Sequence, residues 1–335
     1  MSTALKRRIF AARLAAGVAV VLVATGVGLP ARAQTYPDKA INVVVPWPPG
    51  ALDVYIRFVQ PYAEKMLGKQ LLIINRGGAN GVIGTEYVRT SKPDGYTLLF
   101  NVTSSAVMAP LTTDSAKFDI RKDFIAVSDF LESLSLLVVR KDFPARTVQE
   151  FIDYARANQG KLNFGSPGAG SALHINAETF ARAIGVKMTH IAYRGYAPEV
   201  QALVGGERDM VFISAGTIRT QVLNGLVRAL ATGYGEPPPD MPQVPDVRKS
   251  APGYVPIPVL SLLWAPAGTP PDIVERLNTV MSAAIRLPEV RSKLGEGGQI
   301  VLGRSVLEAN KAVADNYEIA SKHIADLRVA GVKFE

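Results

Sequence analysis

The stretch NFGSPGAGSALH, Asn163 to His174, brings together residue types that do chemistry: hydroxyls at Ser166 and Ser171, an imidazole at His174, and glycines at 165, 168 and 170. It follows an apolar run and opens a helix-like segment. Three chemistries suit such a loop. Ser171 and His174, one helical turn apart, could pair as nucleophile and base. Glycine-rich backbone at a helix start could cradle a phosphate or a nucleotide. The same amides, helped by the helix dipole, could hold a carboxylate.

The first two chemistries fail on inventory. No G-x-S-x-G elbow supports a hydrolase, and the chain has only three histidines, His174, His190 and His323. A local Ser/His pair is more often a helix start with a polar neighbour, which makes His174 first of all a structural or rim residue. For a dinucleotide fold, GAGSAL carries Leu173 where a third Gly or Ala is needed, and THIAYRG offers no acid for a ribose. No G-x-x-x-x-G-K-[ST] occurs. The chain has no cysteine, and its histidines lack metal-ligand spacing. We therefore expect no enzyme, no cofactor and no metal site.

The elements that must position this loop read as an α/β protein. Short runs rich in Val, Ile and Leu, such as INVVVPW, LLIINR, YTLLFNV, SLLVVRK, DMVFIS and LSLLWAP, alternate with helical segments. TVQE at Thr147 and SVLE at Ser305 have capping-box form. Thr269 is the expected N-cap of a later helix, and Pro61 is expected to kink or break the helix that starts near Asp53. In the last helix Val313, Tyr317, Ala320, Ile324 and Leu327 recur as one stripe. Two lobes with mostly parallel sheets are expected, and the chain should cross between them near Leu137 and Leu263.

Open α/β sheets bind ligands beyond the carboxyl ends of their strands. Four strand-to-helix junctions are small, polar and poor in charge: PWPPGALD, NVTSSAVMAP, GSPGAGSALH and YRGYAPE. Two fall in each expected lobe, an arrangement suited to a small carboxylate or dicarboxylate. Trp47 is either an aromatic wall or a plug at a strand end. Arg194 either clamps a carboxylate or ties down a loop. Thr103, Ser104, Ser105, Ser166 and Ser171 could bind, cap a helix, or do both. Asp53 serves its own helix start.

The amino terminus has other business. Basic MSTALKRRIFAAR, apolar LAAGVAVVLVATGVGL and small-residue PARAQ follow the order of a secretory leader cleaved after Ala33. RRIF hints at twin-arginine export. Removing Lys6, Arg7, Arg8, Arg13 and Arg32 takes the formal charge from +8 to +3, too little for a nucleic-acid footprint. The mature protein is expected to be soluble, exported and built without disulfides.

Seven segments in order, YPDKAINVVVPWPPGALD, INRGGANGVIGTEYV, KPDGYTLLF, LNFGSPGAGSALHINAETF, IAYRGYAPEVQALVGGERDMVF, GLVRALAT and LLWAPAGTPPDIVERLN, resemble the Bug-type substrate-binding proteins of tripartite tricarboxylate transporters. The resemblance covers essentially the whole mature chain. It implies a two-lobed periplasmic-binding-protein fold of type II kind, with the ligand cleft between lobes. The division is a leader, 1–33; a discontinuous first lobe, 34–137 plus 261–335; and a second lobe, 138–260. It implies capture of a small organic mono- or dicarboxylate, aromatic ones included, by hinge closure. The partner would be a membrane permease, and the protein would act as a periplasmic monomer. A ligand sensor acting on a signalling protein is the alternative. Ligand contact carries onto Pro46, Trp47, Pro49 and Gly50, onto Ser166, Gly168, Gly170, Ser171 and His174, and onto Arg194, Gly195, Tyr196 and Ala197, with Thr103 and Ser104 added from the residue reading. PPGALD is one residue shorter than the family's PPGG-x-x-D turn, and Trp47 stands where Phe is common. NVTSSAVMAP lacks the usual Gly-Thr start and has Ala106 at a position that is often polar. Ile213 replaces an acid that can meet a substrate amine, which argues against an amino-acid ligand.

Overall fold

The computed structural model describes residues 36–296 and 298–334; the expected leader lies outside them. In chain order the first part contains strands β1 (Ile41–Val45) and β2 (Leu71–Asn75) around helix α1 (Ala51–Leu67), then α2 (Val82–Arg89) and β3 (Thr97–Val102). Short helices α3 (Thr103–Ala106), α4 (Met108–Thr112) and α5 (Ile120–Asp123) lead into β4 (Phe124–Ser133). The middle part runs β5 (Ser135–Arg140), α6 (Val148–Ala157), β6 (Asn163–Ser166), α7 (Ala172–Ala183), β7 (Thr189–Ala192), α8 (Tyr196–Val204), β8 (Met210–Ser214), α9 (Ala215–Leu223) and β9 (Val227–Thr232). The chain ends with β10 (Val259–Pro266), α10 (Pro271–Arg286), α11 (Pro288–Gly295), β11 (Gln299–Val301) and α12 (Val306–Val329).

The strands form two sheets, in the orders β11-β4-β10-β3-β1-β2 and β7-β6-β8-β5-β9. β1 pairs in parallel with β2 and β3, and β6 with β7 and β8. β10 lies antiparallel between β3 and β4, and β5 lies antiparallel between β8 and β9. Most strands thus share a direction, while reversed strands sit inside both sheets.

The chain leaves the first sheet after Ser133 and enters the second at Ser135; it returns at Val259. The sheets therefore change three residues before the expected boundary at 137, and the return comes two residues before the expected 261. The longest strand, β4, escapes a search for apolar runs because its FIAVSDFLES carries Ser128, Asp129, Glu132 and Ser133. Asp129 is fully buried, and Arg304 neutralises it with a hydrogen-bonded ion pair. A buried charge needs such a partner.

Local signals acted with two exceptions. Ser305 and Glu308 complete a capping box on α12, and the Thr147 hydroxyl accepts from the Glu150 amide on α6. The stripe of α12 buries Val313, Ala320, Ile324 and Leu327, while Tyr317 stays half-buried under the Arg121 guanidinium, 3.5 Å from its ring centre. Pro61 does not break α1, which runs through it. The proline lies on the exposed face, where water can take up the carbonyl it cannot bond. Thr269 does not cap α10; its hydroxyl donates to Pro266 O, and the helix starts from Pro270 with Pro271 at the first position.

Each sheet is covered on both faces. In the second lobe Leu137, Val139, Phe164 and Phe212 face α6 and α7, while Leu136, Val138, Val211 and Ile213 face α8 and α9. Helix α7 belongs to two cores. Leu173, Ala177 and Phe180 pack on the second sheet, and Ala172 and Ile175 join the first lobe's cluster with α12. Asn176 fastens this seam: its amide donates to Ile257 O at 3.1 Å and accepts from Ile257 N at 2.8 Å.

Candidate functional site

The candidate site lies where the expected ligand residues gather, at the carboxyl ends of the two sheets, and its first wall follows β1. Pro46 is buried, Trp47 is half-buried, and Pro48, Pro49 and Gly50 are exposed. The indole N–H of Trp47 donates to Asn101 Oδ1 at 3.1 Å, and Asn75 Nδ2 donates to Trp47 O at 3.0 Å. Asn101 is fully buried on β3; its carboxamide also accepts from Val102 N and donates to Thr85 Oγ1. Asn75 and Asn101 thus set the first turn. Both were legible as polar residues in apolar strands, which must find partners once buried.

Helix α1 starts from Gly50, which has no side chain to cap it. Asp53 in its first turn bonds Arg57 at 2.7 Å, and that guanidinium holds its carboxyl below the usual range against the opposing push of burial. The acid serves the helix, as expected from its position.

The residues after β3 are only partly available. Thr103 is buried, donates to Pro258 O at 3.3 Å and accepts from Leu260 N at 3.0 Å. Its hydroxyl, expected at the ligand, is engaged here in joining β3 to the segment entering β10. Ser104 is half-buried and its hydroxyl has no partner among the described residues.

The loop after β6 binds itself. Ser166 Oγ donates to Gly168 O at 3.0 Å and lies 2.7 Å from His190 Nε2. Ser171 caps α7 by accepting from His174 N, and His174 Nδ1 accepts from Gly170 N at 3.0 Å. With Nδ1 accepting, the ring N–H lies on Nε2, which has no hydrogen-bond partner among the described residues. His174 is fully buried and stacks on His190 at 3.7 Å between ring centres. Burial, aided by the neighbouring His174, pushes His190 down to about 3, so it stays neutral. The hydroxyls of Ser166 and Ser171 and Nδ1 of His174, all expected at the ligand, are engaged by neighbouring groups in this structure. Gly170 adopts φ 72°, and a Cβ there would lie 2.9 Å from Thr112 Oγ1 of the first lobe. The loop is therefore pressed against the opposite lobe at this point, with Gly168 half-buried beside it.

The junction after β7 is open. Gly195 N donates to Pro167 O at 2.9 Å, joining the two loops of this wall. Gly195 is also the N-cap of α8 and offers no side chain to its amides. Arg194 and Ala197 are exposed, and Arg194 has no ion-pair partner among the described residues. Tyr196 keeps 40% of its surface exposed. Its phenol is pushed up by the surrounding protein and by the proximity of Glu199 and of Tyr55, which stands on α1 across the cleft. Helices α1 and α8, both started by glycine, therefore face one another.

Two residues at this junction and opposite it were missed by sequence reasoning. Tyr55 gave no signal at all. Glu199 was visible as an acid in a helix's first turn, where it reads as a solvated dipole partner. It is instead fully buried, its two oxygens have no hydrogen-bond partner, and burial pushes it up to about 8. Ile213 is fully buried in the core behind α8. Among the described residues no three acids or histidines cluster as metal ligands.

A family model described as the tripartite tricarboxylate transporter family receptor matches residues 55–328. A UPF0065 protein encoded in the gbd 5′ region of Cupriavidus necator is 34% identical over 296 residues, covering 87% of this chain and 89% of its own. Among solved structures, MatC of Rhodopseudomonas palustris with bound malate is 28% identical with a TM-score of 0.74, covering 86% of this chain and 100% of its own. The R. palustris protein Rpa4515 with adipate is 27% identical with a TM-score of 0.76, covering 87% and 98%.

Proposed function

The chain belongs to the tripartite tricarboxylate transporter receptor family, and on that premise we propose that it captures a small organic carboxylate between its lobes in the periplasm and hands it to a permease of that transporter type. It is a solute-binding protein and not an enzyme. The observation that carries the ligand class is the pair of opposed helix starts. Gly50 and Gly195 leave the first-turn amides of α1 and α8 without side-chain caps on facing walls. Free amides at the positive end of a helix dipole favour an anion.

The ligand's carboxylate would rest on main chain from Pro46 to Gly50 and from Gly195 to Ala197, with Arg194 and Ser104 at the rim. Trp47 would form a half-exposed aromatic wall. Mono- and dicarboxylates with aliphatic or aromatic bodies fit this reading, and the malate and adipate of the two solved relatives fall in the class. An amino acid is not expected, because Ile213 replaces the acid that many relatives carry there. Export would follow cleavage after Ala33, and the protein would work as a monomer.

A thermal-shift panel tests the class. Protein covering Gln34 to Glu335, unfolded and refolded to strip bound solute, is screened against dicarboxylates, tricarboxylates, aromatic carboxylates and amino acids. A ligand at about 100 times its Kd adds roughly 2.7 kcal/mol, which at this size raises Tm by about 2 °C or more. Shifts confined to carboxylates are expected. A flat panel, or shifts from amino acids alone, would sink the proposal.

A further inference from the structure

Glu199 differs from the other buried acids of this chain. Asp53 has Arg57 and Asp129 has Arg304, but both oxygens of Glu199 are sealed from solvent with nothing bonded to them. A buried polar group without a partner is costly, and a native fold that keeps one calls for a reason. No helix cap explains it, because the side chain lies past the first three amides of α8.

The slot that holds it is built for it. Residue 165 is glycine, and a Cβ there would come within 3.4 Å of Glu199 Cγ, 3.4 Å of the Tyr193 ring and 3.2 Å of Val211 Cγ1. Gly165 immediately precedes Ser166, where β6 gives way to the cleft loop. Tyr196, three residues before Glu199, shares its face of the helix. That face is buried at Leu203 and Ala202 and emerges at Tyr196, which looks across to Tyr55. Glu199 therefore lies directly behind the ring that lines the cleft.

We propose that Glu199 is the specificity-determining residue of the second lobe: once the Tyr196 ring turns aside, its carboxyl donates a hydrogen bond to an oxygen at the end of the ligand farther from the helix-held carboxylate. The proposal rests on the carboxylate-capture reading and adds the chemistry of the ligand's second end. That end carries an oxygen acceptor, and neither an alkyl group nor an ammonium serves. The proton is available because burial keeps the acid neutral to about pH 8. The groups facing Glu199 are Tyr196 on its own helix, Tyr193 after β7 with Arg208 bonded to its phenol, and Tyr55 behind Tyr196. From β6 Gly165 lies against Glu199, with Val211 of β8 beside it, and neither titrates.

Three probes of one chain length test this by titration calorimetry: adipate, hexanoate and 6-aminohexanoate. At pH 6.5 the wild type should bind adipate at least about tenfold more tightly than either of the others, the size of one hydrogen bond to a charged group. The preference should collapse at pH 9, where Glu199 ionises and repels the second carboxylate. Glu199→Ala should abolish the preference at both values. Glu199→Gln, which still offers a donor, should keep it at both. A Glu199→Ala protein that is folded by circular dichroism and retains the wild-type ratio overturns the proposal. So does a preference for 6-aminohexanoate that Glu199→Gln removes, because the acid would then act ionised. If the wild type binds neither these probes nor any carboxylate of the thermal-shift panel, the capture reading itself fails. If it binds them and the Glu199 variants change nothing, only the role of Glu199 falls.

Discussion

At the scale of single residues, Glu199 carries a consequence for stability that needs no ligand. In the unfolded chain its carboxyl ionises near the ordinary value of 4.5, and in the folded chain only near 8. The folded state therefore holds the proton more tightly. The stability it contributes is fully present below pH 4.5 and is lost as the pH rises toward 8, at no more than about 1.4 kcal/mol per pH unit. Glu199→Gln carries no charge to bury. Its stability should match that of the wild type at pH 4.5 and exceed it by up to about 4–5 kcal/mol at pH 8. Urea denaturation at the two pH values reads this directly, and a difference that does not grow with pH would contradict it. The same physics explains why His190, stacked on His174, supplies no switch: a group held at about 3 stays neutral throughout the working range.

At the scale of elements, the helix starts divide into two kinds. Helix α7 supplies its own cap through Ser171 and closes its loop with the His174 ring, so its amides are used within the element. Helices α1 and α8 begin with glycine and leave theirs without side-chain caps. Ser171→Ala should therefore cost about 1 kcal/mol of stability, the usual loss for an N-cap. Carboxylate affinity should change by less than about threefold, under 1 kcal/mol. Chemical denaturation and calorimetry on one sample separate the two effects. A large affinity loss with intact stability would return Ser171 to the ligand. On the proposed reading the loop after β6 is a structural corner, and the binding chemistry lies with its neighbours.

For the whole molecule, the lobes meet firmly along one side. There α7 packs against α12 and Asn176 bonds both polar groups of Ile257. On the other side Tyr55 on α1 and Tyr196 on α8 stand near each other. This asymmetry favours closure that brings α1 and α8 together about the crossing segments at Leu134 and Val259. The chain has no cysteine, so a Val54→Cys/Val204→Cys pair, both positions exposed, can be labelled cleanly. Energy transfer between the labels should rise on saturation with a bound carboxylate, in proportion to that ligand's preference for the closed state. An unchanged signal at saturation would exclude closure by this motion.

Much of the molecule was determined by the sequence alone. Apolar runs of strand length, capping residues at Ser305 and Thr147, and the stripe of α12 act through neighbours a few residues away, and such effects are visible in the order of residues. The α/β class and the family resemblance follow from them. The strand FIAVSDFLES was hidden because its buried acid is neutralised by Arg304, which lies far along the chain. Which serines were free for a ligand was likewise undecided. Ser166 and Thr103 lose their hydroxyls to His190 and Pro258, partners that folding brings together. Tertiary structure alone made Glu199 distinctive. An acid in a helix's first turn is ordinary until a glycine, a tyrosine and a valine from other elements close around it and take away its water.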